Sequence, residues 1–293
     1  MSLLINFTAG LLFAKLERMK ILDGAELAGF IKERQLKQVR ALRQSWRVRP
    51  KLAIIQTTDN SVIDMYVRLK QAYGADILVE TDIHKISQAD LLSQIETLNK
   101  DESVHGIIIQ LPLLDPSQTD TAVSTVAPEK DVDGLGQGAI FTPATAMAID
   151  WLLAGYNVAL EGKTIAIVGN GRLVGEPLAR LWRGAGLKVT VYDDTTLDLA
   201  SALRASEIIV TATGVPALIT KDMIQPGAVV VDAGTASEHG KIVGDVSADV
   251  RELGDITITP QKGGVGPLTV AALFDNVIQA ARVIADRKGQ QDL

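Results

Sequence analysis

Cysteine is absent from this chain. That excludes disulfides, thiolate catalysis and cysteine-ligated metals, and makes the cytoplasm the simplest compartment. An excess of positive charge is missing too. The formal net charge is −6, so no broad cationic surface exists for nucleic acid. No repeat, low-complexity tract or disordered linker interrupts the sequence. Ser2 to Ala14 is mostly apolar, but Asn6 and Thr8 break the run. It is too short to span a bilayer and lacks the basic start of a secretory signal. Residues 1–18 are read as an extension, either an amphipathic helix or an upstream start, with the folded part beginning near Met19.

The 293 residues, 47% of them hydrophobic and 22% charged, suit two globular domains. Short apolar runs alternate with helical patterns. Strands are predicted at Leu52–Gln56, Ile77–Glu80, Gly106–Gln110, Thr164–Val168, Lys188–Tyr192, Glu207–Thr211, Ala228–Asp232 and Asp255–Ile258. Helices are predicted at Ala89–Leu98, Ala144–Leu153, Gly175–Arg183 and Leu268–Asp286. The alternation means α/β architecture with parallel sheets covered on both faces. The expected division is a catalytic α/β domain, 19–145 plus 270–293, and a Rossmann-type dinucleotide domain, 146–269. The last helix packs back on the first domain, and Pro143 opens the connecting helix.

Thr164–Val168 reads as a buried strand running into Gly169-Asn170-Gly171-Arg172-Leu173-Val174-Gly175 and then a helix. Gly169 permits the tight turn, Gly171 lets a pyrophosphate approach, and the N–H groups at the helix start face the anion. The next strand ends in Asp193-Asp194. An acid there accepts hydrogen bonds from both adenosine ribose hydroxyls and repels a 2′-phosphate. NAD is therefore predicted over NADP. Two readings keep the alternative open: the aspartates only start a turn before Thr195-Thr196, or Arg172 swings toward a phosphate.

In the first half, Ser61 is read as the N-cap of a helix, with Val62, Met65 and Leu69 as its buried stripe. Tyr66 and Lys70 are four apart and share one face. By spacing alone they are an exposed aromatic on a lysine stem; the functional reading is a lysine whose pKa is lowered by burial so that it acts as a base.

Further motifs follow in order: His105-Gly106-Ile107-Ile108-Ile109-Gln110-Leu111-Pro112-Leu113, Pro128-Glu129-Lys130-Asp131-Val132-Asp133-Gly134, the glycine loop with Val174-Gly175-Glu176-Pro177, and Gly263-Gly264-Val265-Gly266-Pro267-Leu268-Thr269. With Tyr66–Lys70, this series resembles the bifunctional methylenetetrahydrofolate dehydrogenase/cyclohydrolase family from about Lys20 to Ala281. The resemblance implies a folate cleft between the two domains. It makes Lys70 the catalytic lysine, with Tyr66 lining the folate site, Gln110 near the reacting carbon, and Asp133 on the polar edge of the pterin. Leu111 and Gly263 would flank the folate. Ala212, Thr213, Gly214, Gly266 and Thr269 would approach the cofactor. It implies tetrahydrofolate substrates and a homodimer; no metal site and no membrane association are read.

Five departures from the family pattern stand out. Ile63 replaces a hydroxyl before the tyrosine. Gly74 arrives early, as if the helix were a turn shorter. The chain between Gly134 and Thr142 is short. Lys262 replaces a common proline, and Asn170 and Gly171 replace the arginine and serine that serve the NADP phosphate. The competing readings are a dehydrogenase without the cyclohydrolase step, and a folate- or dinucleotide-binding protein without turnover.

Overall fold

The computed structural model describes residues 19–238 and 241–291; residues 1–18 and the reading made of them lie outside that range. The elements in chain order are β1 (Lys20–Ile21), α1 (Gly24–Ser45), β2 (Lys51–Gln56), α2 (Ser61–Asp76), β3 (Glu80–Lys85), α3 (Leu91–Lys100), β4 (Gly106–Ile109), α4 (Thr119–Thr125), α5 (Ala144–Gly155), β5 (Ile165–Val168), α6 (Gly175–Gly184), β6 (Val189–Tyr192), α7 (Leu199–Arg204), β7 (Ile208–Thr211), β8 (Val229–Asp232), β9 (Ala236–Glu238), β10 (Lys241–Val243), β11 (Thr257–Ile258) and α8 (Val265–Gln291).

A parallel sheet, ordered β3-β2-β4, organises the first half. Successive side chains of a strand face opposite ways. Leu52, Ile54 and Ile108 therefore enter a core with α1, α2, α5 and α8, while Ala53, Ile55, Ile107 and Ile109 enter a second core under α3 and α4. The second half is a six-stranded parallel sheet, β1-β11-β8-β7-β5-β6. A separate antiparallel pair, β9 and β10, follows β8.

The two halves are stitched together. β1 precedes the whole first domain, yet it forms the edge of the larger sheet beside β11, so the first domain starts after it rather than at residue 19. α8 is continuous through residue 270, packing on α1, α5 and α2. It is long and apolar enough to cross a membrane by composition, but its buried run from Leu268 to Ala285 belongs to the shared core.

Three local expectations change. The strand predicted at Ile77–Glu80 is the turn after α2: Leu78 has φ 63°, and Ile77 and Val79 are buried there. The strand itself is the polar Glu80–Lys85, an edge strand with one neighbour. The cap of α2 is Asn60, whose Oδ1 accepts from the N–H of Val62 at 2.8 Å, and Ser61 is the first helical residue. Gly74 does not end that helix. A Cβ there would stand 2.9 Å from Thr81 Cγ2 and 3.1 Å from the Phe274 ring, so glycine lets α2 seat against α8 and β3.

Candidate active site

The buried stripe of α2 is not Val62, Met65 and Leu69; Leu69 is 51% exposed. Ile63, Val67 and Gly74 are the buried positions. This rotation puts Lys70, three residues after Val67, on the inward side. Ile63 takes a place in the core, which accounts for an apolar residue where the family pattern has a hydroxyl. Lys70 Nζ donates to Gln110 Oε1 at 2.6 Å. Gln110 follows β4, every residue of which is buried, and is itself buried. Burial lowers the Lys70 pKa, opposed in part by the negative charge of Asp133.

Asp133 sits on a loop built by its neighbours. Lys130, buried, donates through Nζ to the carbonyls of Leu98 (2.9 Å), Asn99 (2.9 Å) and Asp101 (2.7 Å) at the end of α3. Asp131 accepts from the N–H groups of Gly134 (3.1 Å) and Gly136 (2.7 Å). Asn276 of α8 donates to the carbonyls of Val132 (2.9 Å) and Thr142 (3.0 Å), pinning both ends of the short segment between them. Held there, the Asp133 carboxyl is pushed up to about 6 by burial, against the pull of Lys70, with Asp131 pushing the same way as burial.

Lys70, Gln110, Leu111 and Asp133 line one cavity of about 140 Å³ with Ile109, Leu135 and residues 143–145. Leu173, from the glycine loop of the other half, completes the wall. Tyr66 lies one turn before Lys70, half-buried. Its phenol pKa is raised by burial and eased by a hydrogen bond with the Thr235 side chain, which follows β8. Both elements of the cleft thus meet at the lysine.

The glycine loop has the geometry an anion needs. Gly169 has φ 98°, and a Cβ on it would stand 2.6 Å from the Ala212 carbonyl oxygen. A Cβ on Gly175 would stand 1.8 Å from the Gly169 carbonyl oxygen. At Gly171 a Cβ would meet nothing within 4 Å, so the protein's own packing does not require glycine there. α6 begins at Gly175 with no side-chain cap; Glu176 N–H donates to the Gly171 carbonyl at 3.2 Å and Pro177 has no N–H, so in the first turn it is the Gly175 N–H that is left for a ligand. Asn170 is exposed. The Arg172 guanidinium pairs with Asp120 of α4 across the cleft, both side chains exposed.

At the tip of β6, Asp193 does start a turn, accepting from Thr195 N–H at 3.0 Å and Thr195 Oγ1 at 2.6 Å. Those bonds hold its carboxyl below the usual range, so it is an anion at neutral pH. Asp194 beside it is exposed. Ala212, Thr213 and Gly214 follow β7, with Thr213 N–H on Asp245 Oδ2 at 2.7 Å. Gly263, Gly266 and Thr269 lie outside the cavity lining. The Gly263 carbonyl accepts from Ala25 N–H at the start of α1, while Gly266 and Thr269 occupy the first turns of α8, where Thr269 Oγ1 donates to Val265 O at 3.3 Å. Lys262 is exposed.

Lys130, Asp131, Asn276 and Thr235 were not among the residues singled out from sequence. The spacing of Asp131 two residues before Asp133, ahead of Gly134, was a usable sign for a loop-organising acid; Asn276 and Thr235 carry no local signal.

Two family models match the chain: the catalytic domain of tetrahydrofolate dehydrogenase/cyclohydrolase over residues 22–133, and its NAD(P)-binding domain over residues 143–285. The bifunctional protein FolD of Bordetella avium is 39% identical over 277 residues, covering 89% of this chain and 97% of that one. The FolD methylenetetrahydrofolate dehydrogenase/cyclohydrolase crystal structure from Campylobacter jejuni is 35% identical, with a TM-score of 0.85 over 90% of this chain and 99% of that one. The Trypanosoma brucei enzyme, solved with NADP and an inhibitor, is 31% identical with a TM-score of 0.85 over 91% and 98%.

Proposed function

The chain belongs to the tetrahydrofolate dehydrogenase/cyclohydrolase family, and from that membership we propose how its own residues carry the two reactions. It oxidises 5,10-methylenetetrahydrofolate to the methenyl form with a nicotinamide cofactor and hydrolyses the methenyl form to 10-formyltetrahydrofolate. The observation that carries the assignment of residues is the single cavity in which Lys70, Gln110 and Asp133 face Leu173 of the glycine loop.

A bound nicotinamide would supply the hydride acceptor. The residues present fit such a group: the close Gly169–Gly175 approach lets a diphosphate come near the loop backbone, and Gly175 N–H at the uncapped start of α6 would face it. The folate nitrogens stabilise the cation left behind, so the protein supplies position and a dry contact rather than a proton acceptor. Asp133 accepts from the polar edge of the pterin. Tyr66 packs against the folate.

Hydrolysis is different, because the attacking water must lose a proton. Burial has already lowered the Lys70 pKa, and a cationic folate beside it disfavours the ammonium further. A neutral amine that donates one N–H to Gln110 Oε1 keeps its lone pair for that proton. Gln110 fixes where the lone pair points.

Cofactor preference is assigned to NAD. The anionic Asp193 at the β6 tip and the engagement of Arg172 by Asp120 support it, since neither favours a 2′-phosphate. The preference is not inherited from every relative, the Trypanosoma brucei enzyme having been solved with NADP. A homodimer and a cytoplasmic location are further proposals, resting on the family resemblance and the cysteine-free composition; light scattering tests the first, and fractionation the second.

Two assays on the purified chain test the function. Reduced cofactor formed from methylenetetrahydrofolate reports the dehydrogenase, and decay of the methenyl chromophore reports the cyclohydrolase. Turnover in the first alone leaves a monofunctional dehydrogenase. Binding of both ligands without turnover in either overturns the assignment.

A further inference from the structure

Two buried aspartates behind the cofactor side of the cleft have no part in the chemistry above. Asp245, after β10, is 0% exposed. Its Oδ2 accepts from Thr211 Oγ1 at 2.6 Å and from the Thr213 backbone N–H at 2.7 Å. Its Oδ1 has no hydrogen-bond partner among the described residues. Asp232, at the end of β8, accepts from the N–H groups of Gly234 (3.1 Å), Asp245 (3.0 Å) and Val246 (3.2 Å). The Arg251 guanidinium stands 3.6 Å from Asp232 Oδ2 and donates to the Thr259 carbonyl. Backbone without side chains makes room for both carboxylates. A Cβ on Gly234 would stand 2.0 Å from Asp245 Oδ1, and one on Gly244 would stand 2.1 Å from Asp232 Oδ2.

These contacts form one column, from the partly exposed Arg251 through Asp232 to the buried Asp245, and it ends on a single peptide plane. In a trans peptide the N–H and the preceding C=O point in opposite directions. With Thr213 N–H held on Asp245, the Ala212 carbonyl must face the other way. It does so toward the glycine loop, 2.6 Å from where a Gly169 Cβ would stand. Thr213 Oγ1 then accepts from Val215 N–H at 3.1 Å and carries the turn onward. Ala212 N–H, on the Val168 carbonyl at 2.9 Å, holds the distance between the two strand ends; the carboxylate fixes the orientation of the Ala212–Thr213 peptide between Ala212–Gly214 and the glycine loop, the two backbone segments assigned to the dinucleotide.

We propose that Asp245, seated by Asp232, is a positioning residue for the dinucleotide: it orients the Ala212–Thr213 peptide against Gly169 so that both loops meet the cofactor together. The inference rests on the dinucleotide site assigned above. A buried polar network that serves only stability would lower both activities alike. A positioning role lowers only the one that uses the cofactor, because hydrolysis of the methenyl form in the same cleft needs none.

The experiment compares Asp245→Ala, Asp245→Asn and Thr211→Val with wild type, measuring both activities, dinucleotide Kd by calorimetry, and Tm. Asp245→Ala is expected to raise dinucleotide KM and Kd by about tenfold or more while cyclohydrolase kcat stays within about twofold. Asp245→Asn keeps an acceptor for Thr211 and Thr213 and is expected to restore most of the affinity. If Asp245→Ala does not fold, Thr211→Val carries the test, with dinucleotide Kd raised about threefold and cyclohydrolase unchanged. Unchanged dinucleotide affinity in the folded variants, equal losses in both activities, or an asparagine variant no better than alanine overturns the proposal. Absence of turnover in wild type would count against the functional reading instead, and calorimetry would still test Asp245 through dinucleotide affinity.

Discussion

Replacing Lys70 by methionine separates the two reactions assigned to this cleft. Methionine fills the buried volume without an amine, so packing against Val67 and the cavity wall is largely kept. What is lost is the group that hydrogen-bonds Gln110 Oε1 at 2.6 Å and that burial has made more willing to be neutral. A positioned general base is worth about 10²–10⁴ in rate, or roughly 3–5 kcal/mol of barrier. Cyclohydrolase kcat is expected to fall by that factor. Dehydrogenase kcat is expected to fall by less than about tenfold, because hydride transfer asks for orientation rather than a proton acceptor. A second consequence has a definite sign. Lys70 is the charge that pulls the Asp133 carboxyl down against its burial, to about 6. Without it that carboxyl titrates higher, so the acid limb of the residual dehydrogenase pH profile moves upward. The assays are decay of the methenyl chromophore and formation of reduced cofactor, each across pH. Parallel losses in the two activities, a retained cyclohydrolase, or an acid limb that moves downward would refute the reasoning.

Asp133→Asn tests the same electrostatics through stability. The folded-state value of about 6 lies above the ordinary aspartate value of 3.8, so the stability this carboxyl contributes is present in acid and lost as pH rises through about 6. The asparagine variant should gain roughly 1–3 kcal/mol at neutral pH in urea unfolding, with the gain vanishing below about pH 4. Wild-type enzyme should show a higher kcat/KM with NAD than with NADP, and Asp193→Ser should raise NADP efficiency by about tenfold, as one like-charge contact of ~1.4 kcal/mol is removed; a wild-type preference for NADP sinks the cofactor assignment. Lys130→Met leaves three carbonyls at the end of α3 without their donor and should cost on the order of 2–4 kcal/mol of stability by denaturant titration. Gly74→Ala places a methyl 2.9 Å from Thr81 Cγ2 and should lower stability by about 1–3 kcal/mol, whereas a helix-propensity argument alone predicts a gain.

Much of the fold was legible because buried parallel strands announce themselves. Thr164–Val168 and Glu207–Thr211 are apolar on both faces, and the observed strands differ from those ranges by a residue. The edge strand Glu80–Lys85 was not legible, since five of its six side chains are polar and it is held by its pairing with β2. The face of α2 was misjudged for a related reason. Val62, Met65 and Leu69 are as apolar as Ile63 and Val67, and the packing partners that decide which stripe is covered include α8, some two hundred residues away in sequence. That rotation is what brings Lys70 inward, so the spacing of Tyr66 and Lys70 could not by itself reveal a buried base.

At the site, residues that touch ligands stood out by chemistry and order, while those that hold them did not. Asn276 and Asp245 act through backbone carbonyl and N–H groups on distant segments, and such contacts leave no local pattern. Arg172 shows the converse. Its charge suggested a phosphate, and the fold supplied Asp120 as its partner.

The central claim is that one cleft performs both steps in succession. The most direct measurement adds methylenetetrahydrofolate and NAD to the purified chain and follows reduced cofactor, methenyl intermediate and 10-formyltetrahydrofolate in the same sample. The account requires reduced cofactor and 10-formyltetrahydrofolate to rise together, faster than free methenyltetrahydrofolate hydrolyses in buffer. Reduced cofactor accompanied by methenyl product that decays only at the buffer rate, or no reduced cofactor at all, would contradict it.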